Sequence, residues 1–193
     1  MEMLAEILKC FVSLFVIMGP FASIPVFISV TKTMKEKSIS AAAFQAIAIA
    51  ALLLYIFLFL GPLILLAFGI SFDSLRVAGG IVLSILGVEL VLGISLAGKR
   101  YRYSPPIVLI GTPLLTGPGV IVTTMLFVKM YGFLITGIGA AGALFLSWLI
   151  LWLSHHISKI LGRYGVEILS RITGILLVAV AVEFAVEGLK AMV

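Results

Sequence analysis

The sequence has little charge for its length. Charged residues make up 11% of its 193 residues, whereas 63% are hydrophobic, and the mean hydropathy is +1.33. A soluble domain carries about 25% charged residues and about 45–50% apolar ones. So large an apolar excess cannot be buried in one core, which excludes a soluble globular fold and predicts a chain solvated by lipid.

Cysteine and catalytic motifs are also scarce. Because Cys10 is the only cysteine, no intrachain disulfide can form, and a cysteine-based metal or redox site is disfavoured. His155 and His156 are adjacent, and adjacent helix positions do not face each other, so a two-histidine metal site is not expected. The sequence has no paired aspartates, no HExxH motif and no Ser–His arrangement at useful spacing. We therefore expect neither an enzyme nor a cofactor.

Positive charge exceeds negative charge, with a formal net charge of +5 and a pI of about 9.5. In a soluble protein this balance would suggest a nucleic-acid partner. Here the basic residues lie at the ends of apolar segments, where they set the orientation of a membrane protein. We expect a lipid bilayer, and no nucleic acid, around this chain.

Six apolar segments are long enough to cross a bilayer core of roughly 30 Å. Their apolar runs are continuous rather than alternating, which favours helices over a β-barrel. The predicted spans are 4–30, 39–68, 73–97, 105–129, 131–160 and 166–189. The predicted fold class is therefore an all-α polytopic membrane protein of six transmembrane helices.

Basic residues are concentrated in the links after spans one, three and five. These links contain eight Lys or Arg residues, and the opposite side has four. The eight are Lys32, Lys35, Lys37, Lys99, Arg100, Arg102, Lys159 and Arg163, and the four are Lys9, Arg76, Lys129 and Lys190. The positive-inside rule places the three links in the cytoplasm and both termini outside the cell membrane.

Landmarks recur along the chain at a nearly constant spacing. The recurring pairs are Pro20 with Pro113, Pro25 with Pro118, Arg76 with Arg171 and Glu89 with Glu183, at offsets of 93 to 95. Because each half has an odd number of spans, the second copy enters the membrane from the other side. This pattern predicts two inverted three-helix repeats, 1–97 and 105–193, joined by a basic cytoplasmic linker, 98–104, and it is typical of secondary transporters.

The paired prolines predict discontinuous first and fourth helices. A proline inside a helix removes a backbone donor, and in lipid the freed groups are tolerated only beside protein or a polar cavity. If Pro25 and Pro118 each begin a half-helix, the next three amides are free, and such helix starts bind anions. A simple kink at each proline is the alternative.

The predicted binding site consists of backbone and hydroxyl groups near these two breaks. Ser23 and Thr116 occupy matching positions, and "TGPG" permits close approach of a ligand, although each hydroxyl could instead bond back to its own helix. The candidate binding residues are Gly19, Pro20, Ser23, Pro25, Val26, Thr112, Thr116, Gly117, Pro118, Gly119, Val120 and Thr123.

Glu89 and Glu183 are candidates for proton coupling because acids within membrane spans are costly and usually face the interior. A protonated or hydrogen-bonded acid near the interface is the alternative. Arg76 and Arg171 are read mainly as helix-end anchors, with gating as a second possibility. Asp73 and Glu167 lie at helical pairing distance from them.

"PFASIPVF" (20–27) and "PLLTGPGVI" (113–121) resemble the MarC family of small membrane proteins, which includes neutral amino acid transporters of the SnatA type. "RVAGG" (76–80) and "RITGILL" (171–177) strengthen the resemblance, which covers essentially the whole chain. It implies a six-helix inverted-repeat carrier of small neutral amino acids such as glycine or alanine. The first motif departs from the family at Gly19 and at Ala22-Ser23, which favours backbone over side-chain contact there.

The inverted repeat and the broken helices predict a secondary transporter that works by alternating access, with protons as a possible coupling ion, and the resemblance implies that its substrates are small neutral amino acids. The amino acid carboxylate is expected at the amides of the broken helices and the ammonium at backbone carbonyls. A passive pore or a structural membrane protein without alternating access is the alternative.

Overall fold

The computed structural model describes residues 2–31, 34, 36–94 and 115–192. These residues form helices and turns and contain no β-strand, which confirms the all-α prediction for them. The helices are α1 Glu2–Met18, α2 Pro20–Thr31, α3 Glu36–Phe68, α4 Phe72–Leu92, α5 Pro118–Trp152 and α6 Ser154–Met192.

Five helical stretches in the described residues are long and apolar enough to cross a membrane. They are Glu2–Ile28, Ser38–Phe68, Phe72–Leu92, Pro118–Trp152 and Tyr164–Met192. Six spans were predicted and five are found, because the described part of the fourth predicted span and most of the fifth belong to one helix, α5. Residues 105–114 of the predicted fourth span lie outside the described residues, and so does the whole predicted linker, 98–104.

A glycine divides α5 into two legs. Gly132 has φ 82° and ψ 171°, a non-helical conformation that residues with a Cβ rarely adopt. Four contacts to α3 give the direction of each leg, and in chain order they are Thr116 with Ala50, Met125 with Gly61, Phe133 with Phe59 and Gly137 with Tyr55. The residue numbers of the α3 partners rise from Ala50 to Gly61 between Thr116, just before α5, and Met125 on the first leg. They fall from Phe59 to Tyr55 along the second leg. The chain therefore reverses at Gly132, close to the predicted boundary between spans four and five.

Helices α4 and α6 cross in antiparallel directions with their backbones almost in contact. A Cβ built on Gly80 would lie 2.6 Å from the Ala181 carbonyl oxygen, and one on Gly87 would lie 2.9 Å from the Gly174 carbonyl oxygen. Farther along, Gly188 packs against the backbone of Asp73. Small residues let two helices approach this closely in a membrane, where packing rather than hydrophobic burial drives association.

The second leg of α5 packs against α1 through the small residues of "GIGAAG" (137–142). A Cβ on Gly139 would lie 2.6 Å from the Cys10 Cβ, and one on Gly142 would lie 3.0 Å from the Phe11 ring. Cys10 and Leu14 are fully buried at this contact. This packing fixes the end of α1 beside the start of α5.

Candidate functional site

The chain enters α5 through an extended residue followed by proline. Gly117 has φ −71° and ψ 176° and occupies the N-cap position, and Pro118 is the first helical residue. Proline suits this position because its fixed φ is helical and its missing N–H has no helical partner to lose. The predicted helix start at Pro118 is confirmed, and the preceding part of the predicted span, before Leu115, lies outside the described residues.

Two amides at the start of α5 have no hydrogen bond within the part of the chain that the structure describes. They belong to Gly119 and Val120, and no side chain caps this helix end. The prediction of a third free amide is wrong, because the Ile121 N–H donates to the Gly117 carbonyl at 3.2 Å. Unpaired amides at a helix start carry partial positive charge and favour an anion.

The first helix breaks one residue before its first proline, at Gly19. Gly19 has φ 52°, so it takes the left-handed conformation, and α2 begins with Pro20 as its first residue. The prediction that Pro25 begins the half-helix is wrong, because Pro25 lies inside α2. Pro25 and Val26 are exposed, so the structure places them away from the interior and removes them from the candidate site.

The two breaks face one small cavity. It has a volume of about 100 Å³ and contains residues from both proline motifs and from α4. Its motif and acidic lining residues are Gly19, Ser23, Glu89, Gly117, Gly119 and Val120. A water needs only about 10–15 Å³ measured this way, so the cavity has room for a molecule of several heavy atoms. Six of the predicted site residues thus meet at one place.

A buried hydroxyl in this cavity lacks a partner. Ser23 is 1% exposed, and its Oγ makes no hydrogen bond to the described residues. Thr123 Oγ1, one turn after the start of α5, is fully buried and also has no partner in that part of the chain. Buried polar atoms are nearly always bonded in native proteins, so each orphan calls for a partner such as a ligand.

The other predicted hydroxyls have structural partners or lie elsewhere. Thr116 Oγ1 donates to the Ala50 carbonyl at 3.0 Å, which ties the approach to α5 onto α3. Thr124 Oγ1, next to the predicted Thr123 but not itself a candidate, donates back to the Val120 carbonyl of its own helix at 2.7 Å. Thr112 lies outside the described residues. Pro20 is buried but is not among the residues that line the cavity.

The two acids lie in different surroundings despite their matching sequence positions. Glu89 is half-buried and lines the cavity, whereas Glu183 is exposed on the outer face of α6, which corrects the expectation that it faces the interior. Each acid lies two residues from a small residue in the α4–α6 crossing, so each points away from that crossing. On its side of α4, Glu89 lies near residues of α1, of α2 and of the start of α5, which line the same cavity. Among the described residues, no such cover lies over Glu183.

The two arginines also differ. Arg171 Nη2 lies 2.6 Å from Glu167 Oε1, as the spacing predicted. Arg76 Nη1 instead lies 3.6 Å from Glu187 Oε2, so the predicted pairing with Asp73 is wrong. The antiparallel crossing of α4 and α6 brings the end of α6 beside Arg76. Neither arginine is among the described residues that line the cavity; Arg76 joins α4 to α6, whereas Arg171 pairs within α6.

The apolar walls of the cavity had no signal in the sequence. They consist chiefly of Ile17, Met18, Leu86, Leu90 and Leu177. Each belongs to an apolar run in which any face of the helix looks alike, so only the packing identifies the residues that reach the cavity.

Comparison with known proteins places the whole chain in one family of membrane proteins. The profile of the MarC family of integral membrane proteins matches residues 4–193. The UPF0056 membrane protein of Aquifex aeolicus is 36% identical over 196 residues, covering 94% of this chain and 91% of the relative. The UPF0056 membrane protein YhcE of Escherichia coli is 34% identical over 195 residues, covering 94% of this chain and 91% of the relative. No solved structure matches significantly.

Proposed function

The chain belongs to the MarC family of integral membrane proteins and is a multi-pass membrane protein. On that premise we propose that it is a secondary transporter of small neutral amino acids, such as glycine and alanine. The observation that supports this proposal is the cavity where the free amides of Gly119 and Val120 and the carboxylate of Glu89 line one space.

A zwitterion matches the chemistry of this cavity. Its carboxylate would accept hydrogen bonds from the Gly119 and Val120 amides at the positive end of α5. Its ammonium would donate to Glu89, and charge-assisted hydrogen bonds of this kind are about twice as strong as neutral ones. Ser23 Oγ would gain the partner that it lacks. Glu89 is therefore assigned to the ammonium, in place of the backbone carbonyls expected from the sequence.

The size of the cavity supports a small substrate. On the measure in which one water needs about 10–15 Å³, its volume of about 100 Å³ equals about seven to ten waters, enough for glycine or alanine, and its remaining walls are apolar side chains. The wall at Gly119 is tight, because a Cβ there would lie 2.3 Å from Leu83 Cδ2 and 3.5 Å from Ile17 Cγ2. A larger side chain would have to displace the apolar lining residues, so we expect larger neutral amino acids to bind more weakly.

The contacts between α4 and α6 support the inverted repeat that alternating access requires. Gly80 contacts Ala181. At an offset of 94 between the two halves, Gly80 corresponds to Gly174 and Gly87 corresponds to Ala181. Gly174 and Gly87 are also in contact. What supports the repeat is that α4 and α6, at matching places in the two halves, are antiparallel and have small residues at matching positions, which fits a two-fold axis in the plane of the membrane. We place both termini outside the cell membrane, on the charge asymmetry of the links.

Transport by purified protein in proteoliposomes tests the proposal. We expect saturable uptake of labelled glycine and alanine, accelerated by unlabelled amino acid inside, and much weaker uptake of leucine. Gly119→Ala should abolish uptake because its Cβ would overlap Leu83, so the start of α5, which lines the cavity, would have to shift. Gly137→Ala is the matched control, since its Cβ would meet nothing closer than 3.9 Å.

Three results would contradict the proposal. Unsaturable flux or conductance without exchange would indicate the passive pore. The absence of binding and flux with all twenty amino acids would indicate a structural membrane protein. Equal uptake by Gly119→Ala and Gly137→Ala would place the substrate elsewhere in the molecule.

A further inference from the structure

A second cavity lies where α5 ends and α6 begins, outside the candidate transport site. It has a volume of about 330 Å³ and is lined by Ile39, Trp152, Leu153, His155, His156 and Lys159. The second leg of α5, 133–152, is about 30 Å long at 1.5 Å per residue, which equals the thickness of the hydrocarbon core. The end of this leg, and with it the cavity, therefore lies at the membrane surface.

Among the described residues that line this cavity, the polar side chains are all basic. Lys159 contributes an ammonium group, and His155 and His156 contribute imidazole rings, each with an N–H donor in either protonation state. No Asp or Glu is among the described residues that line it. Three nitrogen-bearing side chains without a carboxylate favour an anionic ligand.

Unpartnered buried polar atoms are concentrated in the stretch of chain that leads into this cavity lining. The described residues contain six such side-chain atoms, and three of them lie between 148 and 155: Trp148 Nε1, Ser154 Oγ and His155 Nδ1. His155 itself lines the cavity. Leaving buried polar atoms without partners is costly, so their concentration here points to a ligand with several oxygen atoms.

The start of α6 adds backbone donors. The Ile157 N–H donates to the Leu153 carbonyl at 2.9 Å, which closes the first turn of the helix. The amides of Ser154, His155 and His156 precede that bond and have no partner within the helix. Together with the basic side chains they form the donor set that binds phosphate in proteins.

We propose that this cavity binds a phosphate group, and that its source is the headgroup of an anionic phospholipid. Basic pockets between transmembrane helices at a membrane surface are typical sites for such headgroups. The stacked rings of Trp148 and Trp152, 5.9 Å apart, lie where aromatic residues anchor proteins at the interface. Beyond the cavity, Ile160 and Tyr164 are 84% and 82% exposed and offer an apolar surface for the lipid backbone.

Native mass spectrometry of the full chain in detergent tests this site. The wild-type chain should retain phosphatidylglycerol and release phosphatidylcholine. The double variant His156→Gln, Lys159→Gln should bind phosphatidylglycerol at least about fivefold more weakly, since one basic group near a membrane surface contributes about that factor. Lys190→Gln removes the same charge from the far end of α6 and should bind like wild type.

Thermal stabilisation by inorganic phosphate and by glycerol 3-phosphate distinguishes the two sources of a phosphate group. Stabilisation by phosphatidylglycerol alone, lost in the double variant, supports the lipid headgroup. Stabilisation by the soluble anions that is also lost in the double variant supports the phosphate site and assigns it a soluble ligand. Equal retention of both lipids, or a double variant that binds like Lys190→Gln, would overturn the proposal. Neither readout depends on transport activity.

Discussion

Replacing Ser23 with alanine separates a ligand-binding hydroxyl from a structural one. Ser23 is 1% exposed, lines the central cavity and has an Oγ without a partner in the described part of the chain. The substitution removes one oxygen and leaves the backbone of α2 unchanged. If the hydroxyl bonds a substrate, its removal should raise the stability of the empty protein and lower the affinity for the substrate.

The magnitudes follow from the missing partner. A buried hydroxyl without a hydrogen bond costs about 1–3 kcal/mol, so Ser23→Ala should stabilise the empty protein. For a chain of this size each kcal/mol corresponds to about 2–4 °C in Tm. A hydrogen bond to a charged substrate group contributes about 1.5–3 kcal/mol, so the affinity for glycine or alanine should fall roughly 10- to 100-fold.

Thermal unfolding in detergent, with and without amino acid, measures both effects. We expect Ser23→Ala to unfold at a higher temperature than wild type without ligand and to need much more glycine for the same further shift. Ser147→Ala is the control, because Ser147 is also fully buried but contacts Met18 Sδ at 3.8 Å and does not line the cavity. It should leave the glycine affinity unchanged.

Unchanged glycine affinity in Ser23→Ala would refute the reasoning, because an orphan hydroxyl facing the ligand must gain a bond when the ligand enters. A loss of stability in the empty variant would show that Ser23 already has a partner in the native protein. Either outcome can be read directly from the same titration.

Two further substitutions test the helix crossing and the assignment of the acids. Gly174→Ala places a Cβ 2.8 Å from the Gly87 carbonyl oxygen, so α4 and α6 must separate, and we expect a loss of about 1–3 kcal/mol relative to Gly137→Ala in unfolding experiments; equal stabilities would contradict this close crossing. Glu89→Gln should lower glycine affinity roughly 10- to 100-fold by weakening the bond to the ammonium, whereas Glu183→Gln on the exposed face should leave it unchanged. A stronger effect of Glu183→Gln in binding titrations would contradict that assignment.

The second proline motif was predictable because its structure is local. Proline favours the first position of a helix, and glycine before it permits an extended approach, so Pro118 was identified as a helix start from sequence alone. In the first motif both prolines met the same local criterion. The break lies at Gly19 because that residue alone can take the left-handed conformation beside Pro20, and Pro25 is accommodated inside α2.

By itself, the sequence determined the membrane environment, the helical class and the existence of two breaks, because hydropathy, helix length and proline chemistry act over a few residues. Tertiary structure alone decided which predicted residues meet. The fold brought Gly19 and Gly119 to one cavity, placed Glu89 in its wall and left Glu183 exposed. It also assigned Arg76 to Glu187, an ion pair between the two crossing helices. The physical reason is that every face of an apolar helix looks alike in sequence, and contacts between close-packed helices select the face that turns inward.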